Sequence, residues 1–282
     1  MTRPLAGMVA IVTGASRGVG KGAALGLGEA GATVYVTGRT RSPTTGAAGT
    51  SAASAAGALP GTIDETAEAV TALGGRGIAV RCDHAIDAEV EALFARVDAE
   101  AGRLDVLVNN AFAIPDGPLI APFWELPIAH WDAMHSVGLR SHYVAAVHAA
   151  RRMVAARRGL IANVSSFGAK IYAVNVAYGV GKAGVDRMSR DMARELRPFG
   201  VAAVSLWPGV VKTERLKLEP ERLPFDATHG ESPQFTGRAI AALAGAPDLM
   251  AKSGQALVVA ELAEEYGFTD VDGTRPQSLR RK

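Results

Sequence analysis

Short apolar runs separated by longer amphipathic stretches set the pattern of this chain. Met8–Thr13, Val34–Val36, Ile78–Val80, Leu104–Val108, Leu160–Val164 and Val201–Leu206 read as strands, with a last one near Leu257–Val259. Helical stretches alternate with them, the longest being 126–157 and 176–198. Alternation of this kind predicts an α/β chain: a parallel, seven-stranded, doubly wound sheet with helices on both faces. Ser42 to Thr62 breaks the pattern. It is almost wholly Ala, Gly, Ser, Thr and Pro, offers little apolar surface to bury, and reads as a flexible insertion between strand two and a helix beginning near Asp64.

In open sheets of this type ligands bind outside the carboxyl ends of the strands, and the polar motifs fall there in succession. The first strand runs into Gly14-Ala15-Ser16-Arg17-Gly18-Val19-Gly20 and then a helix-like stretch, Lys21 to Ala30. Glycines let a turn approach a pyrophosphate closely, and the helix start adds free N–H groups and partial positive charge. Asp83 follows strand three, Asn109 strand four, Ser165 strand five and Pro208-Gly209 strand six.

Tyr178 and Lys182 carry the candidate chemistry. A free phenol has a pKa of about 10, so it needs a stabilised phenolate to exchange protons near neutrality. On a helix, positions four apart share a face, which sets the Lys182 ammonium beside the Tyr178 oxygen to lower its pKa. Ser165, thirteen positions before Tyr178, would hold the same substrate oxygen, with Ser166 as the alternative.

Composition narrows the class. The chain has 282 residues, 48% hydrophobic and 21% charged, with 32 glycines and a formal net charge of +2. That is enough for a substantial core in one domain spanning 1–282. The balanced charge argues against nucleic acid as the main partner; Arg151-Arg152, Arg157-Arg158 and Arg280-Arg281-Lys282 read as solvated surface. The single cysteine, Cys82, excludes an internal disulfide and fits a reducing compartment. With no signal-like segment before Met8 and no apolar run long enough to span a bilayer, the expected location is the cytoplasm. No cluster of ligand spacing calls for a metal.

Thr13 to Gly20, Asn109-Asn110-Ala111, Ser165, Tyr178, Lys182 and Pro208-Gly209, in that order, resemble the short-chain dehydrogenase/reductase family over nearly the whole chain. Trp131–Tyr143, Tyr178–Lys182, Ser205–Gly209 and Tyr266–Gly273 resemble in particular its dehydrogenase/reductase member 1 subgroup. The resemblance implies a Rossmann fold, reversible NAD(P)-dependent reduction of a ketone or aldehyde, and a homodimer or homotetramer paired through the two long helices. Tyr178 would give its proton to the carbonyl oxygen, and Lys182 would also bond the nicotinamide ribose. The implied cofactor site comprises Gly14, Ser16, Arg17, Gly18, Val19, Gly20, Arg39, Asp83, Asn109, Ala111, Tyr178, Lys182, Pro208, Gly209, Val211 and Thr213. Asp83 matches an acid that bonds the adenine amino group, though it could equally cap the next helix. Asn109 would steady the sheet near the ribose, and Pro208 to Thr213 would orient the nicotinamide carboxamide.

Charge at the end of strand two decides between cofactors. A ribose 2′-hydroxyl is met by an acid, a 2′-phosphate by a cation. Here Gly38-Arg39-Thr40-Arg41 offers cations and Arg17 a second guanidinium, so NADP(H) is expected. The loops Phe112–Trp124 and Lys212–Phe235, within the substrate-loop region 212–236, bring Phe112, Ile114, Leu119, Ile120, Phe123, Trp124, Leu216, Leu218, Phe225 and Phe235. That set favours a hydrophobic carbonyl substrate, although it would equally serve a subunit contact.

Two residues depart from the family pattern. Phe112 stands where the Asn-Asn-Ala-Gly motif has glycine, and Gly138 where a water-holding asparagine serves the lysine. The subgroup shares the glycine, and Ser136, His135 and His142 are nearby to order water instead. The same departures motivate the competing reading, a non-catalytic NADP-binding sensor or scaffold.

Overall fold

A single sheet of seven parallel strands runs in the order β3-β2-β1-β4-β5-β6-β7. The computed structural model describes residues 3–42, 59–222 and 226–281. The strands are β1 Val9–Val12, β2 Thr33–Gly38, β3 Arg76–Arg81, β4 Val106–Asn109, β5 Gly159–Val164, β6 Val201–Trp207 and β7 Ala256–Val258. The helices are α1 Gly18–Glu29, α2 Ile63–Ala72, α3 Asp87–Ala101, α4 Ile128–His135, α5 Ser141–Ala156, α6 Val176–Leu196, α7 Glu214–Leu218, α8 Pro233–Gly245, α9 Leu249–Lys252 and α10 Val259–Tyr266.

Side chains alternate across a strand, so each strand feeds two cores. Ala10 and Val12 face the layer of α1, α2, α8 and α10, with Leu27, Val70, Phe235 and Leu262. Val9 and Ile11 face α3, α5 and α6, with Phe94, Met153 and Leu196. Continuous burial on both faces explains why these strands read as unbroken apolar runs. The glycines of α1 serve close packing: an added Cβ would lie 1.9 Å from Pro233 O at Gly22 and 2.3 Å from Gly237 C at Gly26. α1 and α8 therefore touch backbone to backbone.

The expected helical stretch over 126–157 is present from Ile128 to Ala156, with one irregular turn inside it. α4 and α5 are joined by a π-helical turn, Ser136–Arg140, in which the Ser141 hydroxyl bonds back to Val137 O. Such turns insert an extra residue into the helical ladder. Of the expected 42–62 insertion, residues 43–58 lie outside the described residues. Its end is well defined: Thr62 caps α2 in a reciprocal box with Glu65. Strand order reverses between β1 and β4, which opens a crevice at their carboxyl ends.

Candidate active site

The glycine turn is fixed against the segment after β4. Gly14 has φ +65°, and a Cβ there would sit 2.8 Å from Ala111 Cα. At Gly20 a Cβ would lie 2.3 Å from both Gly14 O and Asn110 Nδ2. Thr13 Oγ1 accepts from the amides of Asn110 and Ala111 at 2.9 and 3.0 Å, while Asn110 Nδ2 donates to Thr13 O and Gly14 O. Ser16 is buried in the turn and Val19 packs on the core. Glu214, at the start of α7, places Oε2 2.8 Å from Gly18 N. A carboxylate thus stands at the start of α1 as an anion would, and the residues present fit a pyrophosphate there. Sequence reading missed Glu214, because its partner is 196 positions away.

At the end of β2 the three candidate cations have different surroundings. Arg17 donates to the carbonyls of Leu59, Pro60 and Gly61, and so ties down the end of the insertion. Arg41 pairs with Asp64 at 2.7 Å. Arg39 is exposed, with Nη1 3.9 Å from Asp83 Oδ2. Asp83 does not cap α3: its Oδ1 accepts from Ala85 N at 3.0 Å, and the residue at the start of α3, Ile86, makes no side-chain cap. Behind it, buried His84 donates from Nε2 to Thr37 Oγ1 at 2.8 Å, since the one Thr37 proton goes to Val12 O. Burial holds His84 down at about 4 and pushes the Cys82 thiol up to about 12.

The candidate reacting groups meet at the start of α6. Asn175 caps that helix, accepting from Tyr178 N at 2.9 Å while donating from Nδ2 to Leu119 O at 2.9 Å. This polar strut fixes the Tyr178 backbone and was not singled out in the sequence. The Tyr178 hydroxyl donates to Ser166 Oγ at 2.8 Å. Ser165, the serine preferred from its offset, points elsewhere: it is 3% exposed and its Oγ donates to Lys182 O at 3.1 Å. The correction follows from strand geometry, since neighbouring residues leaving β5 face opposite sides. An offset of thirteen from Tyr178 therefore selects Ser165, whereas the hydroxyl that meets Tyr178 belongs to Ser166. Burial raises the Tyr178 pKa, against a smaller lowering from the Ser166 bond. Lys182, 7% exposed, donates to Val164 O at 3.1 Å. Burial brings it down to about 8, against the pull of Asp186.

Asn109 Nδ2 bonds both His142 O, on α5, and Asn163 Oδ1, on β5, so it ties α5 to the sheet. His142 Nε2 donates to Ala111 O at 3.0 Å; burial keeps the ring neutral, with a pKa of about 3. His135 donates from Nδ1 to Trp131 O at 2.8 Å and stacks on the Trp131 ring. Both histidines are thus held by backbone carbonyls. The segment after β6 is held by Glu231, whose amide donates to Val210 O and whose carbonyl accepts from Lys212 N. Thr213 Oγ1 accepts from Leu216 N and caps α7, so its hydroxyl proton is free to donate. Glu231 is 2% exposed, and burial pushes its carboxyl up to about 8.

The apolar loop set divides. Phe112, Ile114 and Leu119 pack with Met134, Val174 and Tyr178 beside the reacting groups. Phe235 does not wall a pocket: it is fully buried under the sheet against Phe268. Leu216 is buried, Ile120, Phe123, Trp124 and Leu218 are exposed, and Phe225 lies outside the described residues. A hollow of about 300 Å³ lined by Phe123, Leu126, Ile128, Trp131, Val176 and Ala177 opens next to Tyr178 in the chain. Among the described residues no helix is long and apolar enough to cross a membrane.

The family model for short chain dehydrogenases matches residues 45–223. The Mus musculus protein named dehydrogenase/reductase SDR family member 1 is 44% identical over 288 residues, covering 97% of this chain and 86% of that one. Its Homo sapiens namesake is 43% identical with the same coverage. A solved Xanthomonas campestris structure superposes with a TM-score of 0.79 at 29% identity, covering 98% of this chain and 94% of that one. A metagenomic short-chain oxidoreductase solved in complex with NADP has a TM-score of 0.69 at 28% identity, covering 90% and 97%. With likeness of this extent in sequence and in fold, the chain belongs to the short-chain dehydrogenase/reductase family and is an NAD(P)-dependent oxidoreductase.

Proposed function

We propose that the protein reduces a hydrophobic ketone or aldehyde to the alcohol with NADPH, reversibly. The observation that carries this reading is the Tyr178 hydroxyl held 2.8 Å from Ser166 Oγ, with the buried Lys182 on the same helix. When bound, the nicotinamide supplies hydride to the carbonyl carbon. Tyr178 gives its proton to the oxygen; its raised pKa keeps the phenol protonated through neutral pH. Ser166, in place of Ser165, orients that oxygen and stabilises the charge developing on it. Lys182 acts electrostatically on the phenolate that Tyr178 becomes.

The glycine turn and Gly18 N would hold the pyrophosphate, and Thr213 would offer its free proton to the carboxamide. Arg39 is assigned to the 2′-phosphate, because Arg17 and Arg41 are held at hydrogen-bond distance, at 2.9 Å by Gly61 O and 2.7 Å by Asp64, while exposed Arg39 has the looser 3.9 Å pair with Asp83. The NADP in the metagenomic oxidoreductase supports the same choice. Phe112, Ile114 and Leu119, which pack beside Tyr178, support a hydrophobic substrate, and the exposed Ile128, Trp131, Val176 and Val180 on α4 and α6 support pairing of two copies. The single cysteine supports a cytoplasmic setting.

Fluorescence titration with NADPH and NADH, followed by a carbonyl screen on wild type and Tyr178→Phe, tests the reading. NADPH should bind more tightly than NADH, more weakly to Arg39→Asp, and equally to Tyr178→Phe, which should not turn over. Preference for NADH overturns the cofactor assignment, and surviving turnover overturns Tyr178 as proton donor.

A further inference from the structure

We propose that Phe112 is a positioning residue for Lys182: its ring takes the space a side chain at 138 would need and presents its face to the ammonium. The inference rests on the role given to Lys182 above. Lys182 Nζ lies 4.9 Å from the centre of the Phe112 ring, within cation–π range. The same ring meets Tyr178 edge to face, with centroids 5.9 Å apart and planes at 89°. An ammonium has three protons to place, and Val164 O takes one of them. Phe112 offers its electron-rich face to the ammonium beside that bond.

Gly138 makes this possible. A Cβ there would fall 2.3 Å from Phe112 Cδ2 and 2.6 Å from Cε2, so any side chain would displace the ring. The position lies within the π turn Ser136–Arg140, which sets its backbone against the ring. The two departures from the family pattern are therefore halves of one contact, 26 positions apart in the chain. The titratable and charged groups around Lys182 are Tyr178 and Asp186 on α6 and His142 on α5, the last kept neutral by burial.

The test is the titration of Lys182 in the cofactor-free, full-length protein, followed by NMR of isotope-labelled lysine and assigned by loss of the signal in Lys182→Met. Phe112→Leu keeps the bulk and removes the π face, so the midpoint should fall by about half a pH unit or more, and Phe112→Tyr should restore it. Equal midpoints for phenylalanine and leucine would reduce the ring to filler and overturn the proposal. The pH limb of kcat/KM should move with the midpoint. A shifted midpoint in a protein that turns over no carbonyl would sink the proposed reaction and leave the contact standing. A second measurement covers poor folding of the leucine variant. Gly138→Ala should lower Tm steeply alone and far less in combination with Phe112→Ala, whereas additive losses would show that the two residues do not share one space.

Discussion

Ser165 and Ser166 differ by one position and, in the proposed reaction, by their roles. Ser166 meets the Tyr178 hydroxyl, whereas Ser165 is spent on the α6 backbone. Ser166→Ala should lower kcat for carbonyl reduction by about 10²–10³-fold, the scale for losing one preorganised donor. Ser165→Ala should leave kcat within a few-fold and cost about 1 kcal/mol of stability, through the lost hydrogen bond onto the Lys182 carbonyl, which keeps its helical partner within α6. Steady-state kinetics and denaturant unfolding on the two variants read both numbers, and the reverse pattern would return the role to Ser165. Lys182 carries a different cost. Its folded pKa of about 8 lies below the usual lysine value, so the folded state resists the charge. Stability from this group is present at high pH and is lost as pH falls through 8. Lys182→Met should therefore unfold at higher denaturant than wild type at pH 7, while turning nothing over. The tyrosine and lysine were legible in the sequence because helical spacing alone puts them on one face. The serine was not, because the length of the loop between β5 and α6 sets which hydroxyl arrives.

Single contacts between elements decide what the sequence concealed. Glu214 joins the first turn of α7 to the first turn of α1, so the site for an anion holds an internal one. In the proposed site a pyrophosphate takes the place of that carboxylate, so cofactor entry requires the Glu214 side chain to turn away. Glu214→Ala should tighten NADP(H) binding by about five- to tenfold, the equivalent of a charge near a helix terminus, with the gain shrinking at high salt. Unchanged or weaker affinity in fluorescence titration would show that the carboxylate stays in place when cofactor binds. At the α1–α8 contact, Gly26→Ala should be among the most destabilising changes in the chain, because the clash is with Gly237 backbone and neither helix can yield without leaving the sheet. The strands were legible to within two residues, since burial on both faces writes itself as apolar runs. The π turn at Ser136–Arg140 was not, because the pattern is helical through it and the packing of Gly138 on Phe112 lies outside the local sequence.

At the scale of the whole molecule, buried titratable groups set a stability profile with pH. His84 and His142 have folded pKa values of about 4 and 3, below the ordinary histidine value of 6.5, because burial disfavours their charge. Their contribution is complete above 6.5 and is lost as pH falls toward 4 and 3. Glu231 runs the other way. Its folded pKa of about 8 lies above the ordinary 4.5, so its contribution is complete below 4.5 and is lost as pH rises through 8. Between 4.5 and 6.5 two protons are gained by the unfolding chain against one released, so stability still climbs. Above 6.5 only the Glu231 loss remains, until Lys182 begins to add stability beyond 8. The cofactor-free protein should therefore be most stable near about pH 6.5 and decline by roughly 2 kcal/mol toward pH 8, at about 1.4 kcal/mol per unit. Glu231→Gln keeps an acceptor toward Gly209 while removing the titration, so it should abolish that decline and leave the acid limb unchanged. Denaturant midpoints at half-unit steps from about pH 5 to 8.5 check both limbs. A Glu231→Gln protein that still loses stability on the alkaline side would place the responsible group elsewhere.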